Sequence, residues 1–338
     1  MTEARRKHIF ISEREHGLPY SKGLTASSLM VTGLPPARAY AVANQVEQEL
    51  HALGRDMIPI DALRNLTTDV LRRGEGDKYA EAFIKWQSVA ELDIPLIILI
   101  GGAAGVGKST IATQLAWRLG INRVVSTDAV REVLRSAFTE EMFPTLYSSS
   151  FDADKGVRQP IPHSGDRLII GFREQAAAVA VGAQALIDRA IAEATDIILE
   201  GAHLVPGFLE GAESTEAVIV PILVTVADEE LHRSHFAHRG RESRSRPGDR
   251  YLAAFKKIRR IQKYMESSAM MRGVPIISHD DLDATLSQII DHVIDKALET
   301  VEQEGPGGES RAERLLDRPI EAIEVNKAEG SPQREVVP

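Results

Sequence analysis

The chain has 338 residues, enough for two domains at roughly 150 residues each. Its 43% apolar and 26% charged residues form an ordinary globular balance, and a formal net charge of −9 gives no bulk electrostatic reason to expect a nucleic-acid partner. The complete lack of cysteine excludes disulfides, thiolate zinc sites and cysteine nucleophiles together.

The first region, about Arg5 to Gln87, opens on a strand-like His8-Ile9-Phe10-Ile11 and a turn-rich Glu15 to Gly23. After Pro35-Pro36, the positions Ala39, Val42, Ala43, Val46, Leu50 and Leu53 recur at helical spacing and Gly54 supplies a stop. Another helix is expected from near Pro59, because proline suits a first turn. The start is basic but has no apolar stretch behind it, so it is not a secretory signal. The runs Ile94 to Ile100 and Ala176 to Ile187 are shorter than the about 20 residues a bilayer requires. The chain reads as soluble and cytoplasmic, with no membrane partner.

From Glu91 to about Val301, strand-like runs alternate with helical segments. The runs are Leu96 to Ile100, Arg123 to Thr127, Asp196 to Leu199, Val218 to Val226 and Val274 to Ser278. This alternation predicts an α/β fold, a parallel sheet covered by helices on both faces in three layers. The last helix carries the stripe Leu282, Leu286, Ile289, Val293, Ala297 and Val301, with Asp280 and Asp281 as cap candidates. Residues 302–338 hold Gly305-Pro306-Gly307-Gly308 and few apolar side chains, which predicts a disordered tail. The expected division is therefore 1–90, 91–301 and 302–338.

One motif dominates. Gly102-Ala103-Ala104-Gly105-Val106-Gly107-Lys108-Ser109 fits G-x-x-x-x-G-K-[ST], with an apolar run before it and a helix from Thr110 to Leu119 after it. Glycines let the backbone curl so that successive N–H groups point at phosphate oxygens, and the helix N-terminus adds positive potential. Gly102 through Thr110 are thus ATP-binding candidates. Lys108 is aimed at the β- and γ-phosphates, and the Ser109 hydroxyl is a ligand for Mg²⁺.

The next run ends in Ser126-Thr127-Asp128, with Arg131 one helical turn on. At the edge of a parallel sheet, Asp128 can accept the proton of an attacking hydroxyl or help hold Mg²⁺ through water, and Arg131 can clamp an anionic substrate or the transferring group. The plainer alternative is an Asp N-cap beside an exposed arginine. The third run ends in Glu200-Gly201-Ala202-His203, placing a carboxylate, Glu200, where P-loop enzymes hold the magnesium water shell. His203 reads equally well as a hydrogen-bonded structural residue.

Further on, Arg233, Arg239, Arg241, Arg244, Arg246 and Arg250 cluster, with Gly240, Pro247 and Gly248 expected to break the helix. This is the place for a mobile lid, with Arg239, Arg241 and Arg244 as its candidates. Lys256, Lys257, Arg259, Arg260 and Lys263 read as one solvated helical face. The long crossover from Ala129 to Thr195 is expected to build an acceptor pocket, with the hydroxyls of Thr145 to Ser150, Arg173 and Gln175 as candidates.

On these residues the chain resembles the 2-phosphoglycerate kinases best known from archaea, over roughly Ile94 to Ser278. The resemblance rests on Gly102 to Thr110, on Ser126 to Arg131 and above all on Ile198 to Gly207, since phosphate loops are shared by many families. The first region is similar to an ATP-cone, a small regulatory nucleotide-binding module, through Arg6 to Ile11, Leu18 to Gly23 and the helix holding Ala43 to Leu50. Where a cone carries a basic and an acidic residue around its hairpin, this chain has Arg14-Glu15-His16 and Tyr20-Ser21. The resemblance implies phosphoryl transfer from ATP to a small phosphorylated acid, 2-phosphoglycerate, with Mg²⁺, giving 2,3-bisphosphoglycerate. It implies a second nucleotide at the N-terminal domain and leaves a homo-oligomer open. The residues alone leave two other readings: an ATP-binding sensor, or a kinase for a sugar, a nucleoside or a polynucleotide end.

Overall fold

The computed structural model describes residues 9–13, 16–90, 92, 94–163, 165–209, 216–242 and 248–304. Strand β1 (Phe10–Glu13) pairs antiparallel with β2 (His16–Pro19). Helix α1 (Lys22–Met30) follows, its first turn capped by the Ser21 hydroxyl, which accepts from the Leu24 amide. Helix α2 (Pro36–Ala52) buries Ala39, Val42, Ala43, Val46 and Leu50, the stripe that the spacing announces. Leu53, counted into that stripe by its spacing, lies past the helix end and is exposed. Strand β3 (Met57–Pro59) returns parallel to β1, then α3 (Ile60–Glu75) and α4 (Asp77–Ala90) close this part around buried Leu29, Met30, Leu34, Leu50, Val70 and Leu71.

Strand β4 (Leu96–Gly101) is buried along its whole length. There follow α5 (Lys108–Leu119), β5 (Val124–Ser126), α6 (Thr127–Ala137), two 3₁₀ turns at Pro144–Tyr147 and Ser150–Gly156, and the long α7 (Arg167–Ala192). Then come β6 (Ile197–Gly201), β7 (Val218–Thr225), α8 (Glu229–Glu242), α9 (Gly248–Ala253), α10 (Phe255–Met271), β8 (Ile276–Ser278) and α11 (Leu282–Glu304). The larger sheet has the order β5-β6-β4-β7-β8 with every neighbouring pair parallel. Its strands are apolar on both faces because helices cover both.

The register positions the site. Ile100 pairs with Glu200 across β4 and β6, and Ser126 pairs with Glu200 across β5 and β6. The loop after β4, the end of β6 and the start of α6 therefore meet at one edge, where the carboxyl ends of parallel strands leave a crevice.

The two parts share a seam. The Ser27 hydroxyl of α1 donates to the Trp117 carbonyl of α5 at 2.9 Å, and Val31 and Val89 join the core around the larger sheet. Buried Arg118 of α5 pairs with Asp283 of α11 at 2.7 Å. The Ala284 amide donates to Asp281 at 2.9 Å, which caps α11 as its sequence predicts. That helix runs to Glu304, past the expected end at Val301, and residues 305–338 lie outside the described ones. Gly240 does not break the arginine-rich stretch; it lies inside α8, where a glycine costs only about 1 kcal/mol relative to alanine. No helix among the described residues is long and apolar enough to cross a membrane.

Candidate active site

The glycine segment forms a curled loop between β4 and α5. Gly105 and Gly107 take positive φ, 84° and 87°, and Gly107 caps α5, so the curl uses backbone conformations that side chains other than glycine resist. Lys108 is buried, and its Nζ donates to the Ala103 carbonyl across the loop at 2.8 Å. The Ser109 hydroxyl donates to Glu200 Oε1 at 2.9 Å. Glu200 is only 7% exposed, and Gly201 beside it cannot be larger: a Cβ there would fall 1.7 Å from Thr127 Oγ1.

A serine hydroxyl and a buried carboxylate, both hard oxygens at the phosphate loop, fit Mg²⁺. That ion takes one or two protein oxygens and fills its shell with phosphate and water. Ser109 and Glu200 would hold it, and the ion would supply neutralisation of phosphate charge. Among the described residues no group of three or more His, Asp or Glu could hold a metal by itself, and an ion bound largely through phosphates needs none.

Strand β5 ends at Ser126, whose hydroxyl accepts from the Ala129 amide at 3.2 Å and caps α6. The cap is thus Ser126 and not Asp128, which sits in the first turn with its carboxylate 59% exposed. Arg131, one turn on, is mostly buried. Its Nη1 donates to the Ser148 carbonyl at 2.6 Å, and its Nη2 lies 3.1 Å from Glu132 and 3.8 Å from Asp128. Lys108, Ser109, Asp128, Arg131 and Glu200 all line one cavity of about 490 Å³. Ser149, Ser150 and Phe151 line it from the insertion, and Arg250 and Tyr251 from α9.

Behind this wall runs a buried polar chain. Gln175 Nε2 donates to the carbonyls of Thr145 and Ser148, which leaves Oε1 to accept from His203 Nε2 at 3.1 Å. His203 therefore carries its proton on Nε2, and Nδ1 accepts from the Thr127 hydroxyl at 2.8 Å. Burial pushes the His203 pKa down to about 4, with Arg131 and Lys108 adding to the shift and Asp128 opposing it. The ring is 1% exposed and reaches no substrate; it holds β6, α6 and the insertion together. Gln175 likewise supports the pocket from behind and does not line it.

Some expectations are corrected. Arg173 is not brought to the cavity: Leu168, Phe172, Gln175, Ala176 and Val179 form the buried stripe of α7, and Arg173 falls on its exposed face. Arg239 and Arg241 belong to α8, with side chains outside the described ones, and Arg244 lies outside the described residues altogether. The basic stretch of α10 is no simple wet face: Lys257 binds Asp154 at 3.1 Å, Arg260 pairs with Asp166, and Arg259 donates to the Val226 and Ala227 carbonyls. Among the described residues of the arginine-rich stretch, the arginine that lines the cavity beside Arg131 is Arg250, which pairs with Asp152 at 3.2 Å and lies over Phe151. Burial alone would raise the Asp152 pKa, but hydrogen bonds from Lys155 and Arg250 and the charge of Lys257 hold it below the usual range. Nothing in the sequence separates Arg250 from its neighbours except Tyr251, whose ring stacks on Phe236 and meets Phe151 edge-on.

A parallel sheet whose glycine loop leads into a helix, with one carboxylate in the end of β6, another just past β5 and an arginine in the same cavity, defines a P-loop kinase. No protein-family model matches the chain. It is 37% identical over 305 residues to the 2-phosphoglycerate kinase of Methanothermobacter thermautotrophicus, covering 90% of this chain and 97% of that one. It is 39% identical over 288 residues to the 2-phosphoglycerate kinase of Pyrococcus furiosus, covering 85% and 93%. A solved shikimate kinase from Acinetobacter baumannii matches with a TM-score of 0.33 and 16% identity, over 66% of this chain and 99% of that one. The chain belongs to the 2-phosphoglycerate kinase family.

Proposed function

We propose that this chain transfers the γ-phosphoryl group of ATP to the C3 hydroxyl of 2-phosphoglycerate, giving ADP and 2,3-bisphosphoglycerate. The observation that supports this best is the shared cavity of Lys108, Asp128 and Arg131 in a chain of this family. In this reading Asp128 takes the hydroxyl proton while the oxygen attacks the γ-phosphorus. The bond from that phosphorus to the bridging oxygen breaks, and ADP leaves with the electron pair. Lys108 sets positive charge against the β- and γ-phosphates, and Arg131 faces the anionic groups of the acceptor. Positioning and charge neutralisation provide most of the rate. A kinase drawing on the ATP pool belongs, in this reading, to the cytoplasm.

The test is an ADP-release screen over 2-phosphoglycerate, 3-phosphoglycerate, glycerate, shikimate, gluconate and nucleosides. The expected result is strong release with 2-phosphoglycerate. Release that ignores every acceptor would overturn the kinase reading and favour a nucleotide sensor.

The N-terminal part acts, in the same reading, as a regulatory nucleotide-binding module. It has a core of its own, and through Ser27 it holds α5, the helix that the phosphate loop opens. Calorimetric titration with ATP is expected to give two nucleotides per chain; one per chain would leave the module a structural role only.

A further inference from the structure

The curl that turns the loop's amides inward turns its carbonyls outward, and three of them in succession meet a histidine. His232 Nε2 lies 2.8 Å from the Ala104 carbonyl, His235 Nδ1 2.9 Å from that of Gly105, and His279 Nδ1 2.9 Å from that of Val106. A carbonyl only accepts, so each of these ring nitrogens carries the proton. Two of the rings come from α8 and the third from the turn after β8. They pack directly on the loop: a Cβ on Gly107 would fall 2.4 Å from the His279 ring, and one on Gly105 would fall 2.2 Å from Phe236. His232 is fully buried, stacked on Phe236 and edge-on to Phe255. The His235 and His279 rings lie 5.7 Å apart.

We infer that His232, His235 and His279 are positioning residues for ATP: together they clasp the outer face of the phosphate loop and preorganise its inner amides for the triphosphate. This deepens the kinase reading and rests on it. The physics has two parts. A buried carbonyl without a donor is costly, so the three rings select the one loop shape in which every outward carbonyl is satisfied. A peptide group whose oxygen accepts a hydrogen bond also becomes a better donor at its nitrogen. The amides aimed at the phosphates are therefore both fixed and strengthened before nucleotide arrives.

The atom used by each ring makes a sharp test. Asparagine carries its amide nitrogen where Nδ1 sits, and glutamine where Nε2 sits. The probe is MgADP affinity by calorimetry, with KM for ATP and for 2-phosphoglycerate alongside. His235→Leu and His279→Leu are each expected to weaken MgADP binding about tenfold and raise KM for ATP, with KM for 2-phosphoglycerate little changed. His235→Asn and His279→Asn are expected to recover most of that loss while His235→Gln and His279→Gln do not, and at position 232 the order reverses. If a leucine variant fails to fold, the asparagine and glutamine pair still decides. Unchanged affinity in folded leucine variants, or asparagine and glutamine behaving alike at all three positions, would overturn the clasp. Wild-type protein that fails to bind MgADP would sink the phosphate-loop reading itself, a separate and visible outcome.

Discussion

On one side of the cavity a single contiguous segment, Gly102 to Ser109, supplies main-chain amides, a lysine and a hydroxyl. On the other, Asp128 and Arg131 stand on α6, and Arg131 is held by the Ser148 carbonyl that Gln175 of α7 also binds, with His203 from the turn after β6 behind it. In the proposed reading the phosphate side works mainly through backbone, so its geometry follows from glycine placement and a strand-to-helix turn. The acceptor side, in the same reading, works through side chains that only the folded chain brings together. Nucleotide and acceptor binding should therefore fail separately when each side is disturbed.

The largest effect is expected at the phosphate side. Lys108→Ala should lower kcat by roughly 10³-fold or more, because a charge aimed at the transferring group disappears; steady-state ADP release checks this. Asp128→Asn should lower kcat about 10²- to 10⁴-fold with KM for ATP nearly unchanged, and a near-normal rate would remove Asp128 as the base. Arg131→Lys keeps the charge but loses the planar fork. It should raise KM for 2-phosphoglycerate roughly tenfold while the affinity for MgADP holds, and an equal loss on both substrates would break the division between the two sides.

Smaller still is Gln175→Leu, which leaves the buried His203 Nε2 proton without an acceptor at about 1–3 kcal/mol, while the Thr145 and Ser148 carbonyls keep donors from Ser148 and Arg131. It should lower the melting temperature and raise KM for the acceptor more than for ATP. The mildest effect is on pH. His203 and His232 both have pKa values pushed down to about 4, chiefly by burial. Asp128 opposes the shift at His203, while Arg131 and Lys108 add to it. At His232 the bond to the Ala104 carbonyl opposes it, and Arg259, His235 and Lys108 add to it. Unfolded histidine titrates near 6.5, so between about pH 6.5 and pH 4 the unfolded chain binds more protons than the folded one. Stability is full above that window and falls within it, by up to about 1.4 kcal/mol per pH unit for each histidine. Thermal melting between pH 7 and pH 5 should show the decline, and His203→Gln should flatten it.

The same contrast explains what the sequence made legible. The central strands β4, β6 and β7 read directly as apolar runs because nearly all of their residues are buried on both faces, and the phosphate loop reads from spacing because it is contiguous. Strand β3 escapes notice: Met57-Ile58-Pro59 is three residues ending in proline, and it becomes a strand only by pairing with β1. Helix α1 hides behind the turn signals of Pro19 and Gly23. The 3₁₀ turns of the insertion have no period to detect. Arginines were legible as a block but not singly, since the fold sets Arg131 and the largely exposed Arg250 at the cavity and Arg173 away from it, and ion pairs drew Lys257 and Arg260 to the acidic residues Asp154 and Asp166. His232, His235 and His279 lie more than a hundred residues from the loop they touch, with no spacing to betray them.

The most direct test of the whole account is phosphorus NMR of the wild-type protein with MgATP and 2-phosphoglycerate. The account predicts a second phosphomonoester on C3 of the acid, growing in step with ADP. Loss of ATP to inorganic phosphate with 2-phosphoglycerate left intact, or no turnover at all, would contradict it.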